Sequence, residues 1–243
     1  DLRRRLQSDR RCFAFFHPAL PNEPLIFIEV ALVRGISSAV QPLLDLKAPV
    51  GDPEKADTAV FYSITNCQPG LRGVSFGNLL IKQVAQRLGE EFPRIKTFST
   101  LSPIPGFTAW LAAHGNELAA PAASAVAALK IAGWDQQPEV AANLQKVLTP
   151  LCAHYLINAQ HDGAPADPVA RFHLGNGARA ERLNWLADTS ARGLKNCAGM
   201  MVNYVYHLDQ IEDNHELYVR EHRVAATHEE VDARHRRHPN SPR

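Results

Sequence analysis

Net charge is the first thing this sequence lacks: 26 Lys and Arg against 25 Asp and Glu leave +1 with the histidines neutral. No overall field therefore draws the chain to nucleic acid. Paired cysteines are missing too. The four present, Cys12, Cys67, Cys152 and Cys197, are far apart and form no C-x-x-C spacing. That argues against a zinc site and a disulfide framework, and it fits reduced thiols in a cytoplasmic setting. No apolar run approaches the roughly 20 residues that cross a membrane, and no signal-peptide pattern opens the chain. The glycine triplet of a dinucleotide fingerprint is absent, as are a Gly-Lys-Ser/Thr phosphate loop and a Gly-x-Ser-x-Gly nucleophile elbow.

What is present suffices for one domain: 243 residues with 45% hydrophobic content can bury a substantial core. The ends read differently from the middle. Five arginines fall within the first eleven residues, and Asp1 stands where Met would open a complete chain. Residues 1–11 are read as the basic remnant of an upstream segment, with the domain itself running over 12–219. Residues 220–243 carry four of the eleven histidines among many charges and almost no large apolar groups, which is the composition of a solvated, disordered tail. Those histidines lack Cys or carboxylate partners at closed-site spacing, so no metal is expected.

Leu25–Val33 is an almost unbroken apolar run suited to a buried strand, interrupted by Glu29, which is catalytic, points to a rim or pairs with an arginine. Gly35–Gln41 reads as a turn into a short helix, and Thr58–Ile64 as the next strand. From Phe76 the apolar positions Leu79, Leu80, Val84 and Leu88 recur at helical spacing, with Gly89 and Pro93 expected to end the helix. Ile95–Leu101 returns as a strand, so strand, helix and strand form a crossover unit whose default pairing is parallel. The Ala-rich segments 109–132 and 139–157 predict a helical insertion. Asn158–Gly177 loses periodicity and is expected to be a long ordered loop. A last helix near Leu183–Leu194 and a strand near Met201–Leu208 complete the expected core.

Three segments carry polar groups suited to chemistry. Arg72-Gly-Val-Ser-Phe-Gly77 lies at a helix start, where backbone N–H groups and small residues can cradle phosphate oxygens, although a plain tight turn reads the same way. Ser102 follows an apolar strand and precedes Pro103 and Pro105, so its hydroxyl is held in one direction; capping of the next helix is the alternative. His173 lies between an irregular loop and a short apolar stretch, where it reads either as a surface or structural histidine or as a partly buried imidazole that titrates near neutrality. His154 and His161 are its rivals. Tyr204 and Tyr206 share one face of the last strand.

Taken together, Phe61–Ile64, Gly70–Gly77, Phe98–Phe107, Phe172-His-Leu-Gly-Asn-Gly177 and Asn203-Tyr-Val-Tyr206 resemble malonyl-CoA decarboxylases from about Cys12 to Tyr218. The resemblance implies a GNAT-type acyltransferase fold of α/β (α+β) class: a mixed central sheet flanked by helices, with a helical insertion. It implies decarboxylation of malonyl-CoA to acetyl-CoA and CO2, chemistry expected to need no cofactor or metal because the thioester carbonyl is the electron sink; composition, as above, points to no nucleic-acid or membrane partner. It also implies homo-oligomers formed through an N-terminal helical domain that is missing here. By the same resemblance, Ser102 and His173 form the catalytic pair, Tyr206 assists them, and Arg72, Gly73, Val74, Ser75, Phe76, Gly77 and Asn78 contact the coenzyme A portion. Some relatives carry Glu where Ser75 stands, so no acid role passes to that position. A protonated His173 is expected to donate the proton that quenches the thioester enolate. Acyl transfer to an amine and a non-catalytic acyl-CoA-binding fragment are the alternative functions.

Overall fold

The computed structural model describes residues 2–71, 77–114, 120–161, 163–221 and 224–227. The chain begins with a short helix, α1 (Leu2–Arg5), and an edge strand, β1 (Arg10–Phe15). Arg4 and Arg10 are buried against Asp9 at 3.2 and 3.0 Å, so part of the basic N-terminal stretch packs into the same body as the sheet. β2 (Ile26–Val33) lies antiparallel between β1 and β3 (Thr58–Asn66), and the one-turn helix α2 (Gln41–Leu44) falls between them in sequence. Next come α3 (Gly77–Glu91), β4 (Thr97–Thr100) and β5 (Ser102–Pro103). β4 runs parallel to β3, as the crossover unit predicts. α3 continues through Gly89, which has open space around it, and stops at Glu91, before Pro93.

The insertion is helical as expected: α4 (Phe107–His114), α5 (Ala120–Ala128) and α6 (Pro138–Asn158). The stretch expected to be a loop holds instead a small hairpin, β6 (Gln160–His161) with β7 (Ala164–Pro165), and then a helix, α7 (Pro168–Gly175). Its start signal is Asp167-Pro168, an N-cap followed by a proline in the first turn. The helix expected near Leu183–Leu194 is also different. Residues Arg179–Asn184 form strand β8, and α8 (Ala191–Cys197) begins only after the Ser190 side chain caps it. β9 (Met201–Tyr206) and α9 (Ile211–Glu221) follow. The boundary expected at residue 220 thus falls inside α9, and Val224–Thr227 return to the sheet, where Ala226 bridges Ala180.

The main sheet runs β1-β2-β3-β4-β9, with β5 continuing along the β4 edge of β9 and β8 on the other. Only β3 and β4 are parallel among these pairs. One face carries the larger core, in which Ile81, Val84 and Leu88 of α3 meet Leu148 and Leu151 of α6 and the fully buried Ile104 and Phe107. Each such side chain contributes about 1.5–3 kcal/mol by leaving water. The other face has a smaller cluster of Ala31, Val60, Leu101 and Met201 under Val40 and Leu43.

One interruption in this sheet positions the site. Phe98 and Ser99 pair with Tyr206 and Val205, and Ser102 and Pro103 pair with Val202 and Met201, so both short ladders keep one register. Between them, at Thr100, side-chain bonds join the two strands. The Tyr204 N–H donates to Thr100 Oγ1 at 3.1 Å, and Asn203 Nδ2 donates to the Thr100 carbonyl at 2.8 Å.

Candidate active site

Alternation along a strand puts Thr100 and Ser102 on one face of the β4–β5 edge, with Tyr204 and Tyr206 on the same face of β9. His173 comes down on that face from α7. Its ring stacks on Tyr204, with centroids 4.7 Å apart, and meets Phe172 edge-on at 5.0 Å. Its Nε2 lies 3.1 Å from Ser102 Oγ and its Nδ1 lies 2.8 Å from the Tyr206 hydroxyl. Ser102 Oγ is in turn 3.0 Å from Thr100 Oγ1. Thr100, Ser102, His173 and Tyr206 therefore form a continuous hydrogen-bonded line, and all four are buried.

The line has two possible polarities. Either Ser102 donates to Nε2 while Nδ1–H donates to Tyr206, or Tyr206 donates to Nδ1 while Nε2–H donates to Ser102. The hydroxyls at both ends can turn to suit either tautomer. The alternative reading of Ser102 as a cap for the next helix is replaced by these side-chain contacts.

Burial sets the charge state. Removal of His173 from water pushes its pKa down to about 3, because desolvation penalises the imidazolium. Tyr206 moves the opposite way, well above its ordinary value, for the same reason. The expectation that His173 titrates near neutrality is therefore corrected: with the site in this form the imidazole is neutral at pH 7.

Local sequence explains how His173 is aimed. Asp167 Oδ1 accepts the N–H groups of Val169 and Ala170 at 2.9 and 3.0 Å, which fixes the start of α7. Asn176 ends the helix by folding its side chain back to the Phe172 carbonyl at 2.7 Å. Gly177 has φ of +80°, and a Cβ there would strike the Ile211 carbonyl of α9, so only glycine fits. These requirements account for the Asn176-Gly177 pair that follows the histidine.

Other candidates lie elsewhere. Glu29 pairs with Arg5 at 3.2 Å on β2, which is separated from β9 by β3 and β4. His154 sits on α6 against Trp110, and His161 sits in the small hairpin. Arg72, Gly73, Val74, Ser75 and Phe76 lie outside the described residues; Gly77 and Asn78 open α3. An open cavity of about 440 Å³ lies between α4, α5 and α8, walled by Leu111, Leu129, Trp134 and Leu194. None of Ser102, His173 or Tyr206 lines it. Among the described residues no cluster of three His, Cys, Asp or Glu has the arrangement of a metal site, and no helix is long and apolar enough to cross a membrane. The residues missed by sequence reasoning are Thr100 and Asp167. Thr100 stood inside the quoted Phe98–Phe107 block but carried no spacing signal of its own, whereas Asp167 was detectable as a cap preceding a proline.

Comparison with known proteins sharpens this geometry. The family model for the malonyl-CoA decarboxylase C-terminal domain matches residues 1–241. Malonyl-CoA decarboxylase, mitochondrial, of Anser anser anser is 41% identical over 244 residues, covering 90% of this chain and 48% of that protein. The crystal structure of malonyl-CoA decarboxylase from Rhodopseudomonas palustris matches with a TM-score of 0.92 at 47% identity, covering 96% of this chain and 55% of that one. The chain spans about half the length of the curated relatives it matches. A more distant structure, the GphF GNAT-like decarboxylase in complex with isobutyryl-CoA, aligns with a TM-score of 0.52 at 18% identity over 84% of this chain and 82% of that one. That likeness concerns fold alone, and it agrees with the mixed-sheet, GNAT-type architecture.

Proposed function

Since the chain belongs to the malonyl-CoA decarboxylase family, matching its C-terminal domain, we propose that it converts malonyl-CoA to acetyl-CoA and CO2 at Ser102, His173 and Tyr206. The observation that carries this reading is the buried hydrogen-bonded line from Ser102 through both ring nitrogens of His173 to Tyr206. Decarboxylation breaks the bond between the α-carbon and the carboxylate. CO2 leaves, and the electron pair passes into the thioester carbonyl as an enolate. The α-carbon then takes up one proton, so each turnover consumes one proton from solvent. The thioester is its own electron sink, and the site has to supply hydrogen-bond donors and a proton path.

A neutral His173 changes how that path works. A malonyl carboxylate entering beside Ser102 and His173 brings the negative charge that favours an imidazolium, so proton uptake accompanies substrate binding. After CO2 departs, the Ser102 hydroxyl delivers its proton to the α-carbon and is refilled from Nε2–H. Tyr206, held at Nδ1, keeps the ring in register throughout. Arg72–Asn78 are assigned to the coenzyme A portion; α3 begins at Gly77, and a helix N-terminus suits phosphate oxygens. Assembly into homo-oligomers through a preceding helical domain, and a cytoplasmic role in acyl-CoA metabolism, belong to the same proposal. The reducing setting is supported by the wide spacing of the four cysteines, which form no C-x-x-C pair.

Incubation of the purified chain with malonyl-CoA and no acceptor tests the activity, with acetyl-CoA and CO2 as readouts. Equal amounts of both are expected. His173→Gln is expected to lower kcat by about 10²–10⁴-fold with coenzyme A affinity retained. Acetyl transfer that appears only after an amine is added would overturn the reading in favour of a transferase. Acetyl-CoA binding without turnover would favour a binding module.

A further inference from the structure

Two separate pieces of chain supply the reacting pair. Ser102 lies on β5, stiffened by Pro103 and Pro105, while His173 lies on α7, 71 residues later. Their 3.1 Å contact depends on whatever holds the loop after β5 against the start of α7. The joint between them is a single carboxylate. Asp167 is wholly buried and uses both of its oxygens. Oδ1 takes the two N–H groups that cap α7. Oδ2 takes the Gly106 N–H, four residues past Ser102, at 3.3 Å, and the Tyr155 hydroxyl at 3.4 Å. Four donors therefore fill the acceptor positions of one carboxylate. The joint is tightly packed, since a Cβ on Gly106 would run into the Tyr155 hydroxyl. Tyr155 itself is anchored in α6, with its ring 6.0 Å from that of Phe107.

We propose that Asp167 is a positioning residue for the reaction, a brace that sets the Ser102–His173 distance by tying the serine loop to the helix that carries the histidine. It touches neither reacting group. Its effect passes along α7 to the imidazole and back along Gly106 to the serine. The caps and the crossing bonds are separable, because Oδ1 serves the first and Oδ2 the second. The proposal rests on decarboxylation at Ser102 and His173 for its kinetic readout, and on the structure alone for its spectroscopic one.

Two substitutions separate bracing from capping. Asp167→Asn keeps an acceptor at the cap but turns an NH2 group toward the Gly106 N–H. Asp167→Ser keeps a good N-cap but is too short to reach Gly106. In both, kcat for malonyl-CoA is expected to fall about ten- to a hundredfold, as for a misplacement of the order of 1 Å. KM is expected to stay within about twofold, because the coenzyme A contacts are elsewhere. In the substrate-free proteins the ¹⁵N resonances of the His173 ring are expected to shift. An unchanged kcat, or a kcat loss with unmoved ring resonances, overturns the proposal. If the wild-type chain itself makes no acetyl-CoA, the functional reading fails, and the ring resonances alone decide whether Asp167 braces the pair. If both Asp167 variants fail to fold, Tyr155→Phe decides. It removes the donor that holds Oδ2 in place for the Gly106 N–H, from a ring that stays packed, and a kcat loss of about two- to fivefold at constant KM with shifted His173 ring resonances is expected; no change in either overturns the brace.

Discussion

At the scale of single residues, Thr100 shows how much one hydroxyl can hold. It stands where the β4–β5 edge and β9 stop exchanging backbone bonds, accepting from the Tyr204 N–H and meeting Ser102 Oγ at 3.0 Å. Its carbonyl also accepts from Asn203, whose Oδ1 accepts from Asn184 at 2.7 Å. Thr100→Val keeps the shape and removes the hydroxyl, which strands a buried N–H at a cost of about 1–3 kcal/mol. It also leaves the Ser102 hydroxyl with one partner fewer to fix its direction. The expected result is a lower urea midpoint together with a lower kcat, while Thr100→Ser recovers both. A Thr100→Val protein with full activity would remove the threonine from the hydrogen-bonded line.

At the scale of elements, the turn from β5 into α4 and the start of α7 meet across Gly106. Gly106→Ala forces either Tyr155 or the loop to shift, because the added methyl meets the Tyr155 hydroxyl. Overpacking of this kind costs about 1–3 kcal/mol, or a Tm drop of roughly 2–12 °C for a chain of this size. Combining it with Tyr155→Phe removes the clashing atom, and the double variant is expected to regain most of the lost Tm. If the double variant is no more stable than Gly106→Ala alone, the clash lies elsewhere. The same elements mark how far the sequence could be read. The β3–α3–β4 unit was legible because its apolar period changes from continuous to helical and back, and Ser102, His173 and Tyr206 were legible as motif residues. β8 was not, because only Ala180 and Asn184 of its six residues are buried and no apolar alternation announces a strand. α7 has eight residues, barely two turns, and its Asp-Pro start resembles an ordinary turn signal. The shared register of β4, β5 and β9 places Ser102 on the face that carries Tyr204 and Tyr206, and α7 packs His173 onto that face; both are meetings of distant segments that no local pattern encodes.

At the scale of the whole molecule, placing a neutral imidazole in the core ties folding to pH. His173 is 4% exposed, and burial alone moves its pKa from 6.5 to about 3. Below pH 6.5 the unfolded chain takes a proton on this histidine, whereas the folded chain does so only near pH 3. Across that window the unfolded state holds more protons, so unfolding free energy rises with pH, by up to about 1.4 kcal/mol per unit from this one group. Its contribution is full above pH 6.5 and is lost progressively as pH falls toward 3. Other groups also shift: Asp57 is lowered, chiefly by the Gly35 N–H, and contributes in the same sense, whereas Asp167 is raised by desolvation and contributes in the opposite sense. Subtraction isolates His173. Urea unfolding of the wild-type chain and of His173→Gln, measured at pH 7, 6 and 5, leaves the shared groups in both and the imidazole in one. The wild type is expected to lose stability relative to the variant as pH falls, at about 1 kcal/mol per unit below pH 6. A difference that stays constant from pH 7 to 5 would mean that His173 takes a proton in the folded state near its ordinary pKa. The resting site would then already hold the proton that the proposed reaction has to acquire along with its substrate.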